Sequence, residues 1–129
     1  MDCPHCETAL VTFAVPPEYQ EHLPGSESAA GLCPRCLSLE PVEESAGEPA
    51  FDRLSDGFPT TREAALPLAL LVGLLSNLAL YRSEIATLLE AVERAGTDPL
   101  LVLDRLDRDP EVETDIDLSG RRRQLEQLL

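Results

Sequence analysis

The sequence Cys-Pro-His-Cys at positions 3–6 and the sequence Cys-Pro-Arg-Cys at positions 33–36 decide how the first third of this chain folds. Each motif lets two thiolates turn back toward one cation within a tight turn, and two such turns complete a tetrahedral shell of four sulfurs. We therefore predict one metal site, with zinc as the metal. Its predicted ligands are Cys3, Cys6, Cys33 and Cys36.

The residues between and after the two motifs predict a small sheet. The 26 intervening residues have room for a strand over 8–15, a proline-rich connection and a return, and a partner strand is predicted over 37–42. A four-sulfur shell leaves no position open for water or substrate, so we expect a structural metal. Its binding free energy, on the order of 10 kcal/mol in small zinc modules, would replace the core that so short a segment cannot build.

This arrangement resembles a zinc ribbon, because both motifs match the C-P-x-C consensus of that family. The glycine that commonly follows each motif is replaced here by Glu7 and Leu37, so we expect less regular turns. Over its full length the chain resembles a family of short, uncharacterised haloarchaeal proteins. The double motif, the leucine-rich middle and the stretches at 98–106 and 121–129 carry that resemblance, which implies no known activity.

The charge is strongly acidic, with 24 Asp and Glu against 10 basic residues, for a net charge of −14. All ten basic residues are arginine. This balance disfavours broad nucleic-acid binding, acidic substrates and anionic membrane surfaces. It is typical of proteins in molar salt, where screening weakens self-repulsion. The beginning of the chain lacks a signal-peptide pattern, so we expect a cytoplasmic protein whose cysteines are metal ligands or redox thiols rather than disulfides.

Composition divides the chain into a metal module at 1–43, a linker at 44–59 and an α-helical region at 60–129. The linker mixes acids with turn formers, and its apolar residues Phe51, Leu54 and Phe58 should attach it to an apolar surface. We predict an α+β fold, in which a ribbon of two to three short antiparallel strands precedes a bundle of three to five helices.

The first helical segment is apolar on nearly every side over 66–81, which is typical of a buried helix. Thr60 and Glu63 have the spacing of a capping box, and Pro67 predicts either a kink or a new helix start near Leu66. Asn77 is expected to be a hydrogen-bonded polar group in the core. A membrane span over 64–81 is disfavoured, because a helix of these 18 residues covers only about 27 Å, less than the roughly 30 Å of a hydrocarbon core.

The later helices follow from periodicity and end signals. A stripe of Ile85, Leu88, Leu89 and Val92 predicts an amphipathic helix over 83–94 that stops near Gly96. The pair Asp98-Pro99 predicts the start of a helix over 100–108, with three leucines on one side, and Asp109-Pro110 repeats that start signal more weakly. A last helix is predicted over 119–129. The three leucines on one side of the first of these helices are Leu100, Leu103 and Leu106, and the last helix carries Leu125, Leu128 and Leu129.

Several residues allow other interpretations. His5 or His22 could replace a cysteine as a metal ligand, but solvated side chains are the simpler interpretation. The site could hold iron instead of zinc, as in rubredoxins. The arginines at 121–123 could contact phosphate, yet Arg122 and Glu126 have the spacing of a salt bridge on one helix face.

No catalytic motif is found in the sequence, so we expect a protein that is not an enzyme. The leading hypothesis is a protein-protein interaction or regulatory module, with a partner protein or a second copy bound through the helical region. The first alternative is a nucleic-acid or transcription-associated ribbon, which would need Arg35 to cluster with Arg53 or Arg62. The second alternative is thiol redox chemistry, which would place one motif at a helix N-terminus.

Overall fold

A computed structural model describes residues 2–20, 28–43, 49–55 and 57–128. The N-terminal part forms an antiparallel three-stranded sheet in the order β1-β2-β3, where β1 is Val11–Ala14, β2 is Ala29–Leu32 and β3 is Leu39–Val42. The predicted ribbon of two to three strands is therefore confirmed. The strands are shorter than the sequence indicated, because the turns around the cysteines occupy the preceding residues.

The middle strand, β2, pairs with both neighbours. Ala29 lies opposite Ala14 on one side and Val42 on the other, and Leu32 lies opposite Val11 and Leu39. Strand β3 therefore pairs with the return strand and not directly with β1, and the sheet brings the residues before β1 and those after β2 to the same end.

The described part of the chain contains five helices: the first, of only four residues, lies between β1 and β2, and the other four follow the sheet. They are α1 (Pro17–Gln20), α2 (Arg62–Leu74), α3 (Arg82–Arg94), α4 (Pro99–Arg108) and α5 (Leu118–Glu126), with 3-10 turns at Phe51–Arg53 and Leu75–Asn77. Helix α2 packs mainly against α3, and α4 packs mainly against α5. The predicted helical bundle is confirmed.

The apolar stripe and the helix-end residues in the sequence predicted α3 and α4 correctly. The four buried side chains of α3 are the predicted stripe of Ile85, Leu88, Leu89 and Val92. The Asp98 side chain accepts hydrogen bonds from the first amides of α4. The apolar side of α4 was predicted only in part, because Val102 is buried as well.

The predicted beginning of α2 is wrong. The helix begins at Arg62, its cap is Thr61 rather than Thr60, and the Thr61 side chain forms no capping hydrogen bond. Burial of the apolar side of the helix sets its position here, since packing outweighs end signals in most protein helices. The helix continues through Pro67 instead of beginning afresh near Leu66, because the missing amide leaves only the carbonyl of the exposed residue Glu63 without its helical partner.

The apolar segment ends earlier than its composition indicated. Helix α2 stops at Leu74, and the chain tightens into a 3-10 turn in which Asn77 is exposed to solvent. The prediction that Asn77 lies in the core is therefore wrong. Its carbonyl instead accepts hydrogen bonds from the amides of Leu80 and Tyr81 in the turn before α3.

Residues 109–117, called here the α4–α5 connection, form neither helix nor strand. The weak start signal at Asp109-Pro110 produces a turn, in which the Asp109 side chain accepts a hydrogen bond from the Glu111 amide over 2.9 Å. Helix α5 begins only after Asp117, whose side chain accepts a hydrogen bond from the Gly120 amide.

One hydrophobic core joins the sheet, the linker and the helices. It includes Phe13 and Leu37 from the ribbon, and the linker residues Phe51, Leu54 and Phe58, as the sequence predicted. The helical contribution comes chiefly from α2 and α3. The ribbon therefore packs against the helical bundle.

Gly73 of α2 lies against Leu39 of β3. A Cβ atom at this position would lie 2.5 Å from the Leu39 Cβ of β3, a distance that real Cβ atoms do not show. Glycine is therefore required for α2 to approach the strand that follows the second motif. No helix within the described part of the chain is long and apolar enough to cross a membrane.

Candidate metal centre

The fold brings the four predicted cysteines together. Their sulfur atoms all lie within 4.8 Å of one another, and three of the pairs are separated by 3.2, 3.6 and 3.9 Å. Four sulfurs placed tetrahedrally at about 2.3 Å from a zinc ion would be about 3.8 Å apart. The cluster therefore has the donors and the size to hold one metal ion.

The cysteines are presented by two matching turns, called here the first knuckle (3–8) and the second knuckle (33–38). The amide of the first cysteine donates to the carbonyl of Thr8 over 2.8 Å in one knuckle, and to that of Ser38 over 2.9 Å in the other. The amides of Glu7 and Leu37 donate to the carbonyl of the first cysteine over 2.9 and 3.0 Å. These backbone hydrogen bonds are the same in the two turns.

The expectation of irregular turns is wrong. Glu7 and Leu37 occupy the positions where the ribbon family commonly has glycine, and both adopt the left-handed conformation, with φ of 63° and 64°. This conformation costs an L-residue about 1–2 kcal/mol. The hydrogen bonds and the clustering of the cysteines therefore impose the same turn on two residues that do not favour it.

The sulfurs differ in burial. Cys3 and Cys33 are 1% and 0% exposed, whereas Cys6 and Cys36 are partly exposed at the surface. A small apolar cluster packs against the two buried cysteines, Cys3 and Cys33. It consists of Leu10, Ala29 and Val42. The site is thus closed by protein on one side and shallow on the other.

Hydrogen bonds to the sulfurs come from both knuckles. The amide of His5 donates to the Cys3 sulfur, and the amide of Cys36 donates to the Cys33 sulfur, each over 3.4 Å. The hydroxyl of Thr8 lies 3.4 Å from the Cys6 sulfur. Backbone amides of the knuckles thus donate to the sulfurs of Cys3 and Cys33.

The thiols of Cys6, Cys33 and Cys36 differ in their pKa values. Hydrogen bonds with the Thr8 side chain and backbone lower the pKa of Cys6 to about 6. Burial raises the pKa values of Cys33 and Cys36 above the ordinary value for a thiol. A metal cation would compensate for this burial, because it stabilises each coordinating thiolate.

The surroundings of the second knuckle connect it to the helical region. The Arg35 side chain pairs with Glu113 of the α4–α5 connection, with 2.6 Å between Arg35 Nη2 and Glu113 Oε2. Leu37, which ends the turn, is 1% exposed and belongs to the main core. Sequence reasoning missed Glu113, because no local pattern connects residues 78 positions apart.

His5 of the first knuckle contacts a carboxylate of β3. His5 Nε2 lies 3.4 Å from Glu40 Oε1, and Ser38 donates a hydrogen bond to the same oxygen over 2.9 Å. The side chain of His5 is 66% exposed, and its contact is with a carboxylate rather than a sulfur. His22 lies outside the described residues.

The structure brings Arg35 together with Arg53 but not with Arg62, the two arginines that the nucleic-acid hypothesis named as neighbours of Arg35. Arg35 and Arg53 line one cleft of about 600 Å³, whereas Arg62 lines a different groove beside Arg94. Three carboxylates share the first cleft, those of Asp52, Asp109 and Glu111. The cleft therefore has mixed charge.

The arginine run in α5 forms a salt-bridged face, as predicted. Arg122 pairs with Glu126 one turn later on the same helix, and it also approaches Asp104 of α4 at 3.0 Å. The Arg122 contacts therefore hold α5 against α4.

Neither knuckle has the setting of a thioredoxin-like dithiol. The first knuckle precedes β1 and the second connects β2 to β3, so both lie in strand connections rather than at a helix N-terminus. In the described structure no helix dipole is thus available to activate one cysteine of a pair.

Comparisons with known proteins identify the chain only at the level of a family. No curated protein and no solved structure matches it significantly. Residues 2–129 match a family model described as a family of unknown function (DUF6276), so the match covers nearly the whole sequence. The chain therefore belongs to this family of unknown function.

Proposed function

We propose that this chain is a non-enzymatic protein with one structural zinc ion, which holds together a module for protein-protein interaction or regulation. The observation that carries the proposal is the cluster of four sulfurs within 4.8 Å, presented by two matching knuckles. Four thiolates favour zinc or iron over hard cations such as magnesium. A complete shell of four thiolates gives the metal a structural role.

Cobalt substitution tests the closed site directly. Cobalt bound by four thiolates has an intense thiolate-to-metal absorption and no open coordination position. We expect one cobalt ion per chain and a spectrum that does not change when azide or cyanide is added at modest concentration. A spectrum that shifts on anion addition would show an open position and contradict a purely structural role.

Zinc rather than iron is the proposed native metal. The rubredoxin alternative would give a red, redox-active protein when the chain is purified from its native host. Elemental analysis of that preparation separates the two metals, and we expect one zinc ion per chain.

The proposed interaction involves exposed apolar side chains, because helix α2 itself is covered. Its apolar residues are buried by the sheet and by α3, whereas Leu80, in the turn before α3, is 73% exposed. Leu101 of α4 is 46% exposed. Isolated apolar side chains are common on protein surfaces, so substitutions must decide which of them contacts a partner.

Sedimentation and cross-linking in molar salt test this part of the proposal. We expect the wild-type chain to form a homo-oligomer or to cross-link one defined partner, and we expect Leu80→Ser to weaken that association. Leu101→Ser is measured under the same conditions, and the substitution that weakens the association identifies the leucine at the contact. A strictly monomeric chain without a specific cross-linked partner would contradict the interaction hypothesis.

The acidic, lysine-free composition supports a high-salt cytoplasm as the proposed environment. The net charge of −14 would be largely screened there, since the Debye length in about 1 M salt is about 3 Å. Nucleic acid is not a proposed partner, because carboxylates accompany Arg35 and Arg53 in their cleft. Retention of DNA or RNA by the folded protein at low salt would contradict the exclusion of nucleic acid as a partner.

A further inference from the structure

The second knuckle is attached to the α4–α5 connection by one pair of residues, Arg35 and Glu113. The Nη2 and Nε atoms of Arg35 donate to Glu113 Oε2 over 2.6 and 3.0 Å. The Glu113 amide donates to the Arg35 carbonyl over 2.7 Å. Because the backbone and the side chain of Arg35 both take part, the contact depends on the conformation of the knuckle as well as on charge.

The α4–α5 connection has few other means of holding its centre in place. The amides of Glu111 and Ile116 donate to side chains only two residues earlier. Val112 and Ile116 are only partly buried against the core. Segments with few buried contacts open at a small free-energy cost, so the contact with Arg35 should govern the order of this segment.

Metal coordination by the second knuckle would restrict the conformation of Arg35. This residue lies between Cys33 and Cys36, so two of the four sulfurs in the cluster flank it within the same turn. Metal coordination would hold both cysteines and, with them, the carbonyl that accepts the hydrogen bond from Glu113.

We propose that metal binding fastens the α4–α5 connection to the second knuckle through Arg35, so that the surface around Glu113 responds to metal occupancy. The proposal rests on the metal site of the proposed function and adds a regulatory response to it. The second knuckle and the α4–α5 connection both line the cleft of about 600 Å³, so this response would also change the shape of the cleft.

A second arginine in the same cleft offers an internal control. The Arg53 Nη2 atom donates to the Ala9 carbonyl over 3.1 Å, close to the first knuckle. Its contact lies outside both cysteine turns and does not involve the α4–α5 connection. Removing Arg53 should therefore change the charge of the cleft while preserving the attachment of Glu113.

Amide hydrogen exchange measured by NMR tests the proposal on the full chain. The wild type, Arg35→Ala and Arg53→Ala are compared with zinc bound and after chelation, and zinc content is measured on the same samples. In the wild type and in Arg53→Ala, we expect chelation to speed exchange of the Glu113 amide at least about fivefold, the effect of losing one typical hydrogen bond. In Arg35→Ala the carbonyl acceptor remains but the side-chain contacts with Glu113 are lost, so we expect the Glu113 amide of the zinc-bound variant to exchange faster than in the zinc-bound wild type.

The other outcomes separate the two proposals. If the chain binds one zinc ion but Glu113 exchange is independent of zinc, or unchanged in zinc-loaded Arg35→Ala, the fastening is contradicted and the structural site stands. If the buried amides of Leu88 and Leu89 in α3 lose protection together with Glu113 on chelation, the response is global and the local fastening is contradicted. If the chain binds no zinc, both proposals are contradicted.

Discussion

The two knuckles share one backbone conformation but have different surroundings. Glu7 closes the first knuckle and is exposed, whereas Leu37 closes the second and is 1% exposed within the main core. Only the second knuckle carries the Arg35–Glu113 contact to the helical region. The comparison teaches that hydrogen bonds and the clustered cysteines define the turn, while the side chain that follows the motif decides whether the turn is anchored to the rest of the fold.

Removal of the metal should have the largest effect, and it should affect the knuckles unequally. Metal binding contributes on the order of 10 kcal/mol in small zinc modules. After chelation we expect the Glu7 amide to exchange faster than the Leu37 amide, because burial still holds the second knuckle. NMR exchange rates measure this difference. Equal rates at the two positions would show that the core does not anchor the second knuckle.

Glycine substitutions at the two left-handed positions should have opposite signs. Glu7→Gly relieves backbone strain without loss of buried surface, so we expect stabilisation by about 0.5–1 kcal/mol. Leu37→Gly relieves the same strain but removes a buried side chain, so we expect destabilisation by about 2–4 kcal/mol. Denaturant unfolding of the zinc-loaded proteins measures both changes. Stabilisation by both substitutions would contradict the anchoring role of Leu37.

The contact between β3 and α2 can be weakened separately. Gly73→Ala places a methyl group against Leu39, and we expect a loss of about 1–3 kcal/mol and faster exchange in β3. Gly96→Ala is the control: its Cβ meets open space, so only its left-handed backbone, with φ of 88°, should cost stability. Unchanged exchange in β3 of Gly73→Ala would contradict the close approach.

The smallest expected difference concerns the hydroxyl groups at matching positions, Thr8 and Ser38. In metal-free protein the Cys6 thiolate forms above a pKa of about 6, because Thr8 hydrogen bonds stabilise the charged form. We expect Thr8→Val to raise the pKa of Cys6 toward the ordinary value of about 8.5. Alkylation of Cys6 as a function of pH would then shift to higher pH.

Ser38→Ala is the matched control for that measurement. Its hydroxyl donates to Glu40 rather than to a sulfur, so we expect the alkylation profile of Cys6 to remain as in the wild type. Equal shifts in Thr8→Val and Ser38→Ala would contradict a specific Thr8–Cys6 hydrogen bond.

The elements predicted correctly are those whose signals are local and mutually consistent. The stripe of α3 has the helical period and ends at a glycine with positive φ, and α4 begins with an aspartate cap followed by proline. The spacing of the two cysteine motifs predicted one shared site, and the structure brings the four cysteines together. Each helix end and each cysteine motif is specified by residues close together in the sequence.

The elements that were missed depend on distant contacts. The sequence of β2, Ala-Ala-Gly-Leu at 29–32, has neither alternation nor β-branched residues, and its two partner strands hold it in place. The capping box predicted at Thr60 does not form, because burial of α2 sets the residue at which the helix begins. The attachment of Arg35 to Glu113 depends on the tertiary fold, as does the burial of Leu37 in the core.

X-ray absorption at the zinc edge tests the central claim most directly. The zinc-loaded full chain should contain one zinc ion with four sulfur neighbours at about 2.3 Å, and all four thiols should be protected from alkylation. Nitrogen or oxygen atoms in the first coordination shell, or a chain that retains no zinc, would contradict the account of a closed four-cysteine site.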